Sequence, residues 1–435
     1  MEQKINVTDF GAVGDGKTLC TDAVNKAIRS LGDNGGILYF PKGVYVCGTI
    51  FLESNLTFWV DREAFVCGST NIDDYRVEHK GCIEAPSFDG CLIYAEKKSN
   101  ITITGGGKIL GNGGAFQGER PMLTRFVECE NLLFDNIRME ASASWCNHFV
   151  LCKNITIRKV NIFNKVNGNN DGLDFDDCRD VFISGCIIET GDDAICLKSS
   201  SGKICENIII SDCNLSSRTA AFKTGSASKG GFRNVVMNNC ILHDCQMGCI
   251  KLISVDGGSL ENFCFSNLVM DRVGSPLFIR LGRRNLNFDK PAEMEYYTEG
   301  IANQHSVGRV RNIIFDSIIA NVTVEDKSRT PIMITGIPSQ AVQKVRISNM
   351  NIIFPGGGTI EDSERNVAED EFRYPEQWFF GILPAWGLFA RHVDGLTINN
   401  LEMELATEDK RKRCIFEDVK NCRIMNSDMA ENKGL

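Results

Sequence analysis

Asn154-Ile155-Thr156-Ile157 begins with a turn residue and continues as a short apolar run, and this pattern returns along most of the chain. Successive copies are separated by steps of 31, 23, 26, 27, 27 and 28 residues and begin at Asn100, Asn131, Asn154, Asp180, Asn207, Asn234 and Asn262. Related runs follow at Asn312, Val345, Leu396 and Cys422. Each repeat is too short for a domain and too rich in β-branched residues for a pair of helices. We therefore predict an all-β chain folded as a right-handed parallel β-helix, a solenoid of about ten or more coils.

Three cysteines form a second ladder in the same register. Cys186, Cys213 and Cys240 recur at 27-residue steps within the matching contexts Ser-Gly-Cys-Ile, Ser-Asp-Cys-Asn and Asn-Asn-Cys-Ile. Buried cysteine behaves as a small hydrophobic residue. We therefore predict that these thiols stack inside the core and have a structural role.

Length and composition indicate an ordinary globular protein. The chain has 435 residues, of which 43% are hydrophobic and 24% are charged. Length alone would suggest two or three domains, but a solenoid is one long domain. We predict a single β-helix domain over residues 1–435. Residues 1–70 form its N-terminal cap and first coils, and residues 71–435 form coils with long loop insertions near 285–306 and 354–386.

The N-terminal region contains one short helical pattern. Residues Thr18–Leu31 have apolar side chains at helical spacing and follow the glycine-rich stretch Gly11–Gly16. We interpret this segment as a capping helix that covers the open end of the β-helix, where exposed strand edges would favour aggregation. A phosphate-binding loop is the alternative, but the glycine spacing before Lys17 does not fit that motif.

Cysteine usage and charge restrict the location and the partners. The 19 cysteines include no Cys-x-x-Cys pair, and the sequence begins without an apolar signal stretch. Both features favour a reducing cytoplasm over a disulfide scaffold or a zinc site. No segment approaches the length of a membrane span, so no membrane partner is expected. The Lys410–Arg413 run lacks interleaved aromatic residues in a chain of net charge −9, which speaks against nucleic acid.

Two acidic clusters stand about one coil length apart. Residues Asn169–Asp174 read Asn-Asn-Asp-Gly-Leu-Asp, and residues Thr190–Asp193 read Thr-Gly-Asp-Asp, with 21 residues between Asp171 and Asp192. Side chains on adjacent coils lie about 4.8 Å apart along the solenoid axis. Side chains that reach across a cleft would increase the separation between the carboxyl groups to roughly 6.5–9.5 Å. An inverting glycosidase needs this separation to place its water between them.

These acids suggest a division of roles. Three crowded carboxyl groups cannot all ionise freely, so one of them should keep its proton near neutral pH and act as a general acid. We predict that Asp171, Asp192 and Asp193 are catalytic, with no metal and no cofactor. The neighbouring acids are interpreted as turn residues, namely Asp174, Asp176, Asp177 and Asp180.

On these residues the chain resembles glycoside hydrolase family 28, the polygalacturonase family, as a divergent bacterial-type member. The resemblance runs from Asp9–Thr18 through Gly36–Tyr45 to Gly387–Val393. Asn169–Asp171 is similar to the Asn-x-Asp motif of that family, and Gly191–Asp193 is similar to its Gly-Asp-Asp motif. The resemblance implies a β-helix and inverting, metal-independent hydrolysis, with Asp192 as general acid and Asp171 and Asp193 activating the water.

Two further motifs of that family are altered. Ala220 stands where relatives carry the histidine of a Gly-His-Gly motif. The Arg-x-Lys motif that grips a substrate carboxylate is reduced to Cys249-Ile250-Lys251 or, shifted by two residues, to Lys251-Leu252-Ile253. Lys223 could replace part of the lost positive charge, and the acids alone still support the inverting scheme.

Cations are concentrated on the coils after the acidic clusters. The group consists of Lys198, Arg218, Lys223, Arg233, Lys251 and Arg280. We predict a pocket for an acidic sugar, in which arginine would hold a carboxylate through two hydrogen bonds and Lys251, Lys223 and Arg280 would contact the ligand. The alternative is that these cations pair with neighbouring aspartates.

Three further residues are candidate contacts to the sugar. His148 and Trp145 lie in the stretch Trp145-Cys146-Asn147-His148, one coil before Asp171, and resemble a Trp-x-x-His stretch of bacterial relatives. An aromatic platform beside an imidazole suits a sugar ring, whereas a packed turn histidine is the alternative. Asn169, from the first acidic cluster, is also assigned to substrate binding.

The two long insertions indicate how the substrate is cut. Loops of this length usually form functional walls or lids, and the aromatic residues of 354–386 would close one end of a cleft. We therefore expect exo action on pectin-derived oligosaccharides with galacturonate or rhamnogalacturonan linkages. Two alternatives stay open: a uronide lyase or epimerase, often calcium-dependent, and a carbohydrate-binding relative without catalysis.

Overall fold

The computed structural model describes residues 3–76, 88–284 and 307–427. The chain divides into two compact units, Met1–Cys196 and Leu197–Leu435. Both are built from short strands that pair in parallel with the strands of neighbouring coils. The predicted all-β fold, a right-handed parallel β-helix, is confirmed. The single-domain organisation stays a prediction, and the predicted loop at 285–306 lies outside the described residues.

The strands before Ile195 are β1 (Lys4–Asn6), β2 (Asp15–Leu19), β3 (Gly36–Phe40), β4 (Gly43–Cys47), β5 (Ile50–Phe51), β6 (Leu56–Val60), β7 (Ala64–Gly68), β8 (Cys91–Glu96), β9 (Ser99–Thr104), β10 (Lys108–Leu110), β11 (Met122–Val127), β12 (Glu130–Asp135), β13 (Arg138–Glu140), β14 (Asn147–Val150), β15 (Lys153–Arg158), β16 (Asn161–Asn164), β17 (Leu173–Asp176), β18 (Arg179–Ser184) and β19 (Ile187–Thr190).

The strands from Ile195 onwards are β20 (Ile195–Ser199), β21 (Cys205–Ser211), β22 (Asn214–Ser217), β23 (Phe222–Ser228), β24 (Gly231–His243), β25 (Ile250–Ser254), β26 (Ser259–Val273), β27 (Leu277–Leu281), β28 (Val310–Val322), β29 (Ile332–Thr335), β30 (Val342–Phe354), β31 (Ala385–Leu405), β32 (Lys412–Lys420) and β33 (Arg423–Met425). The helices are α1 (Thr21–Ser30) and α2 (Ile360–Ser363), and short 3₁₀ turns occupy Val7–Phe10, Ile72–Asp74, Gly113–Ala115, Lys327–Arg329 and Gln377–Phe380.

One coil of the first unit consists of β14, β15 and β16, and the next consists of β17, β18 and β19. Each strand pairs in parallel with the strand one coil later, as β15 does with β18. Side chains alternate along a strand, so Ile155 and Ile157 of β15 are buried while their neighbours face outward. Stacking repeats this pattern and gives a continuous core, in which the rings of Phe126, Phe149 and Phe175 stack at 5.6 and 5.1 Å.

The asparagines that begin many of the apolar runs adopt the left-handed backbone conformation, and we call them the asparagine ladder. Its members have φ near 60° and are Asn55, Asn100, Asn131 and Asn154 in the first unit and Asn207, Asn234, Asn262 and Asn312 in the second. After the first member of each unit, every side-chain amide donates to the side-chain Oδ1 of the preceding member, at 2.8–3.1 Å in the first unit and 3.0 Å in the second. Asparagine suits this corner because it tolerates positive φ and bonds locally.

The predicted cysteine ladder is part of the core. Cys186, Cys213 and Cys240 are all buried, and the Cys213 N–H donates to the Cys240 Sγ at 3.4 Å. The hydrogen bond with Cys213 and burial raise the pKa of the Cys240 thiol, and burial raises the pKa of the Cys91 thiol to about 12. These two thiols therefore stay protonated near neutral pH, in keeping with a structural role.

The N-terminal helix is confirmed, with α1 somewhat shorter than the predicted segment. Val24, Ala27 and Ile28 are buried on its inner face. Asn25 also fastens it, because its side chain donates to the Thr49 carbonyl at 3.0 Å and accepts from the backbone N–H of Phe51 at 2.9 Å. The helix thus covers an open strand edge. None of the described helices is long and apolar enough to cross a membrane.

The asparagine ladder provides a stability test at Asn131, which is bonded on both sides. Asn131→Ala removes both side-chain hydrogen bonds and places a Cβ in a left-handed corner. We expect it to lower the free energy of unfolding by about 1–3 kcal/mol. Asn131→Gly removes the same bonds but tolerates positive φ, so it should cost roughly 1 kcal/mol less. Urea unfolding of both variants checks this, and equal losses would argue against a constraint on the backbone.

Candidate active site

The two acidic clusters lie on neighbouring turns of the first unit, as their spacing predicts. Backbone hydrogen bonds join them directly: Asp192 N–H donates to the Asn170 carbonyl at 3.2 Å, and Gly172 N–H donates to the Asp193 carbonyl at 2.9 Å. The two turns are therefore fixed in register immediately beside the aspartates.

Three carboxylates converge at this point. Each residue contributes one carboxylate oxygen, and the three oxygens, from Asp171, Asp192 and Asp193, lie within 4.8 Å of one another. Asp171 and Asp193 are only 3% and 2% exposed, whereas Asp192 is half-buried. The expected widening to 6.5–9.5 Å is not seen between these oxygens, because backbone pairing holds the two turns directly against each other.

The observed separation has a chemical meaning. A water molecule that donates both hydrogens to two carboxylate oxygens, at about 2.8 Å each, spans about 4.5 Å between them. The cluster is thus of a size to hold one water between two of its members. Within the described ranges, these oxygens form the one group of three or more such side chains that is close enough to share a metal ion. Hard cations prefer oxygen ligands of this kind.

Short polar contacts define the turn that carries Asp192. The Thr190 hydroxyl donates to the Asp192 carbonyl at 2.6 Å, and the Asp193 N–H donates to the Asp192 Oδ1 at 3.0 Å.

Asn164, at the end of β16, donates to the Asp171 carbonyl at 3.0 Å and to the Ser144 carbonyl at 3.1 Å. The sequence reading missed Asn164, since a polar residue that ends a strand resembles any other turn residue.

Asn170 and Asn169 have different surroundings although they are adjacent. Asn170 is buried and donates to the carbonyls of Ser142 and Ser144 at 3.0 and 2.9 Å, so it ties this turn to the preceding coil. Asn169 is exposed, has φ of 51° and accepts from Arg120 Nη2 at 2.8 Å. Substrate binding by Asn169 stays a prediction.

His148 and Trp145 lie together as predicted, but both are enclosed. Their rings form an edge-to-face pair with centroids 4.9 Å apart, and the two residues are 0% and 4% exposed. In the sheet, His148 stands opposite Arg125 of β11 and Asp174 of β17. This burial agrees with the packed alternative, and a contact with sugar stays a prediction for both residues.

The predicted lysines of the second unit meet a partner that the sequence did not reveal. Lys223 Nζ lies 3.0 Å from Glu376 Oε1, and Lys251 Nζ lies 2.6 Å from Glu376 Oε2. The Lys251 ammonium also stands 5.2 Å from the ring centroid of Trp378. Glu376 belongs to the segment between β30 and β31, where no periodicity could have indicated its position.

Arg280 is enclosed and binds main-chain oxygens, and its predicted contact with the ligand stays a prediction. It is 1% exposed, and its guanidinium donates to the carbonyls of Glu369 and Asp370 at 2.9 and 2.7 Å. It therefore anchors the backbone of the 354–386 segment. Arg233 Nη2 lies 2.5 Å from Glu206 Oε2 on the adjacent strand. This contact agrees with the alternative that the cations pair with neighbouring acids.

The fold and the acid cluster together define a parallel β-helix protein with a three-carboxylate site on adjacent turns. The chain belongs to glycosyl hydrolases family 28, whose family model matches residues 68–370. A second model, described as rhamnogalacturonase A/epimerase, pectate lyase-like, matches residues 4–62.

Individual relatives agree with this assignment. A probable polygalacturonase of Vitis vinifera is 29% identical over 295 residues, which cover 61% of this chain and 60% of that protein. An exo-poly-alpha-D-galacturonosidase of Dickeya chrysanthemi is 23% identical over 437 residues, covering 85% and 70% of the two chains. The chain thus spans about 60% of the length of the Vitis vinifera relative.

Solved structures show the same fold. An exopolygalacturonase of Thermotoga maritima has a TM-score of 0.71 at 22% identity and covers 92% of both chains. A family 28 exopolygalacturonase of Yersinia enterocolitica has a TM-score of 0.76 at 19% identity and covers 97% of this chain and 78% of its own. At such identities the likeness concerns the β-helix alone.

The close packing of the two turns can be tested at Gly172. A Cβ on this residue would lie 2.5 Å from the Ala194 carbonyl oxygen and 2.9 Å from Ile188 Cγ2, so the turns would have to separate. We expect Gly172→Ala to lower the free energy of unfolding by about 1–3 kcal/mol. Gly168→Ala is the matched control, because its nearest neighbour lies 3.9 Å away. Denaturant unfolding that ranks the two variants equally would contradict this packing.

Proposed function

We propose that the protein is an inverting glycoside hydrolase that acts on pectin-derived oligosaccharides with galacturonate or rhamnogalacturonan linkages. The observation that carries this proposal is the convergence of Asp171, Asp192 and Asp193 on adjacent turns, with oxygens within 4.8 Å. Membership of a glycosyl hydrolase family and the polygalacturonase names of several relatives support it.

Burial supports an assignment of roles within the cluster. Asp192 is the most exposed of the three, so it can reach a bound sugar and donate its proton to the glycosidic oxygen. Asp171 and Asp193 are buried, and they hold and deprotonate the water that attacks the anomeric carbon. The bond from the anomeric carbon to the glycosidic oxygen breaks, the departing sugar keeps the proton from Asp192, and the new hydroxyl appears on the opposite face.

We further propose exo action. The Dickeya chrysanthemi relative is named an exo-poly-alpha-D-galacturonosidase, which supports this mode of action. In the second unit, the 354–386 segment brings Tyr374 and Trp378 close to Phe379, a set of aromatic rings of the kind that contacts sugars. Arg280 and Arg391 hold this segment through its backbone carbonyls.

The location of the activity is also a proposal. Of the 19 cysteines, Cys91, Cys213 and Cys240 are examples of thiols buried in the core. A chain with so many thiols suits a reducing compartment, and we propose the cytoplasm. Short oligosaccharides would then be the substrate, since a polymer must be cut before import.

A lyase or epimerase is the second candidate, favoured by one observation. The model that matches residues 4–62 is described as rhamnogalacturonase A/epimerase, pectate lyase-like. In that case the three aspartates would be a cation site, and the reaction would stop with a chelator. The product of a lyase would contain a new double bond, whereas a hydrolase releases a saturated reducing sugar.

Asp192→Asn tests the proposed hydrolysis. Without its general acid, the protein should cleave about 10²–10⁴-fold more slowly. Proton NMR of galacturonan and rhamnogalacturonan oligosaccharides would show the inverted anomer as the first product of the unmodified protein, with chelator present. Asp135→Asn is the control, since Asp135 pairs with Arg158 on the outer surface of the first unit. Full activity of Asp192→Asn, or activity that chelator abolishes, would contradict the proposal.

A further inference from the structure

In the first unit, the third strand of each of two neighbouring coils ends in a buried polar residue. Asn164 ends β16 and Thr190 ends β19, and the two are register partners on adjacent strands. Both lie on the buried side of their strands, as Ile162 and Ile188 do, and both are 0% exposed. A buried polar group is unfavourable unless it forms hydrogen bonds. An apolar residue would therefore be favoured at these positions unless the polar contacts are needed.

Each of the two side chains holds the main chain of one aspartate in the acid cluster. The Asn164 amide donates to the Asp171 carbonyl at 3.0 Å, and the Thr190 hydroxyl donates to the Asp192 carbonyl at 2.6 Å. In both coils, the donor at the end of the strand binds the carbonyl of an aspartate in the turn that follows it. The same arrangement thus occurs twice, once for each turn of the cluster.

Asn164 also connects the two turns to each other. Its carbonyl accepts from the backbone N–H of Gly191 at 2.7 Å, and Gly191 directly precedes Asp192. Its side chain is bonded to Asp171 in the other turn. One buried residue therefore contacts both turns, so moving it would change the separation between the carboxylates that they carry.

The separation between the carboxylates is the quantity that these contacts would control. The three oxygens lie within 4.8 Å of one another, a distance that allows two of them to hold one water. Misplacing a reacting group by about 1 Å can lower a rate about 10²-fold. The contacts of Asn164 and Thr190 with the main chain therefore bear on the reaction, although neither side chain needs to touch the substrate.

We propose that Asn164 and Thr190 are positioning residues, which hold Asp171 and Asp192 at the separation that the attacking water requires. They act through the main chain of the two aspartates. This inference rests on the proposed function and deepens it, because it names the residues that maintain the geometry of the acid cluster.

Thr190→Val tests the contact with Asp192. Valine has nearly the shape of threonine but cannot donate, so the hydrogen bond to the Asp192 carbonyl is lost. We expect kcat on a cleaved oligosaccharide to fall about tenfold or more, with KM changed by less than about twofold, because the groups that bind the sugar stay in place. Thr190→Ser keeps the hydroxyl, so its kcat should stay within about threefold of that of the unmodified protein. Steady-state kinetics of both variants provides the comparison.

Asn164→Asp tests the contact with Asp171. It keeps the shape of the side chain but replaces the donating NH₂ group by an oxygen, which repels the Asp171 carbonyl. We expect the same selective loss of kcat. Asn167→Asp is the matched control, because the Asn167 amide donates to the carbonyls of Gly113 and Ala143 at 2.8 and 3.0 Å, neither of which belongs to the acid cluster. This control should lose stability but keep kcat within about threefold.

Three kinetic results would overturn the inference. The first is full kcat in Thr190→Val. The second is a Thr190→Ser variant that is as slow as Thr190→Val, because the hydroxyl would then not be responsible. The third is an equal loss of kcat in Asn164→Asp and Asn167→Asp, because any loosening of the loop would then suffice. Should Asn164→Asp fail to fold, the two Thr190 variants still decide.

Amide hydrogen exchange separates this inference from the proposed function, because it needs no substrate. The N–H groups of Gly172 and Asp192 bridge the two turns. They should exchange slowly in the unmodified protein and about tenfold or more faster in Thr190→Val. If the unmodified protein cleaves none of the oligosaccharides, the proposed function fails on these substrates, while the exchange rates still show whether Thr190 holds the turns. Equal exchange in the two proteins, or rapid exchange in the unmodified one, would overturn the inference.

Discussion

Left-handed corners recur at the start of the apolar runs in the described coils and set the register of both units. The asparagine ladder places a residue of positive φ there and bonds each side chain to the one below it. This fixes where each strand begins, and a shift of one residue would turn the buried side chains outward. Steps of 23 to 31 residues between corners are absorbed in the loops, so residues far apart in sequence return to the same register.

The acid cluster is a consequence of that register. Asp171 and the pair Asp192 and Asp193 meet because their turns are hydrogen-bonded to each other beside the side chains. Buried amides, such as that of Asn170, connect the turn to the preceding coil. The cluster therefore stands on rigid backbone, which limits the reorganisation needed when a water is activated.

The parts of the molecule that repeat could be predicted from the sequence, and the parts that do not repeat could not. The fold, the buried cysteines and the meeting of the three aspartates follow from spacing. Glu376 escaped prediction because it lies 125 residues from Lys251 in a segment without periodicity. The sequence predicts a ligand contact for Arg280 because this residue stands near other cations. In the structure its guanidinium binds main-chain carbonyls, and the identity of a residue does not reveal where its carbonyl lies.

The proposed hydrolysis requires that Asp171 and Asp193 activate a water molecule while Asp192 donates a proton to the glycosidic oxygen. The most direct measurement is mass spectrometry of the earliest product formed in water enriched in ¹⁸O, before the reducing end exchanges with solvent. We expect the label in the new hydroxyl on the anomeric carbon of the released sugar, whether or not chelator is present. An unlabelled product with a new double bond would contradict it, because the bond would then have been broken by elimination without attack by water.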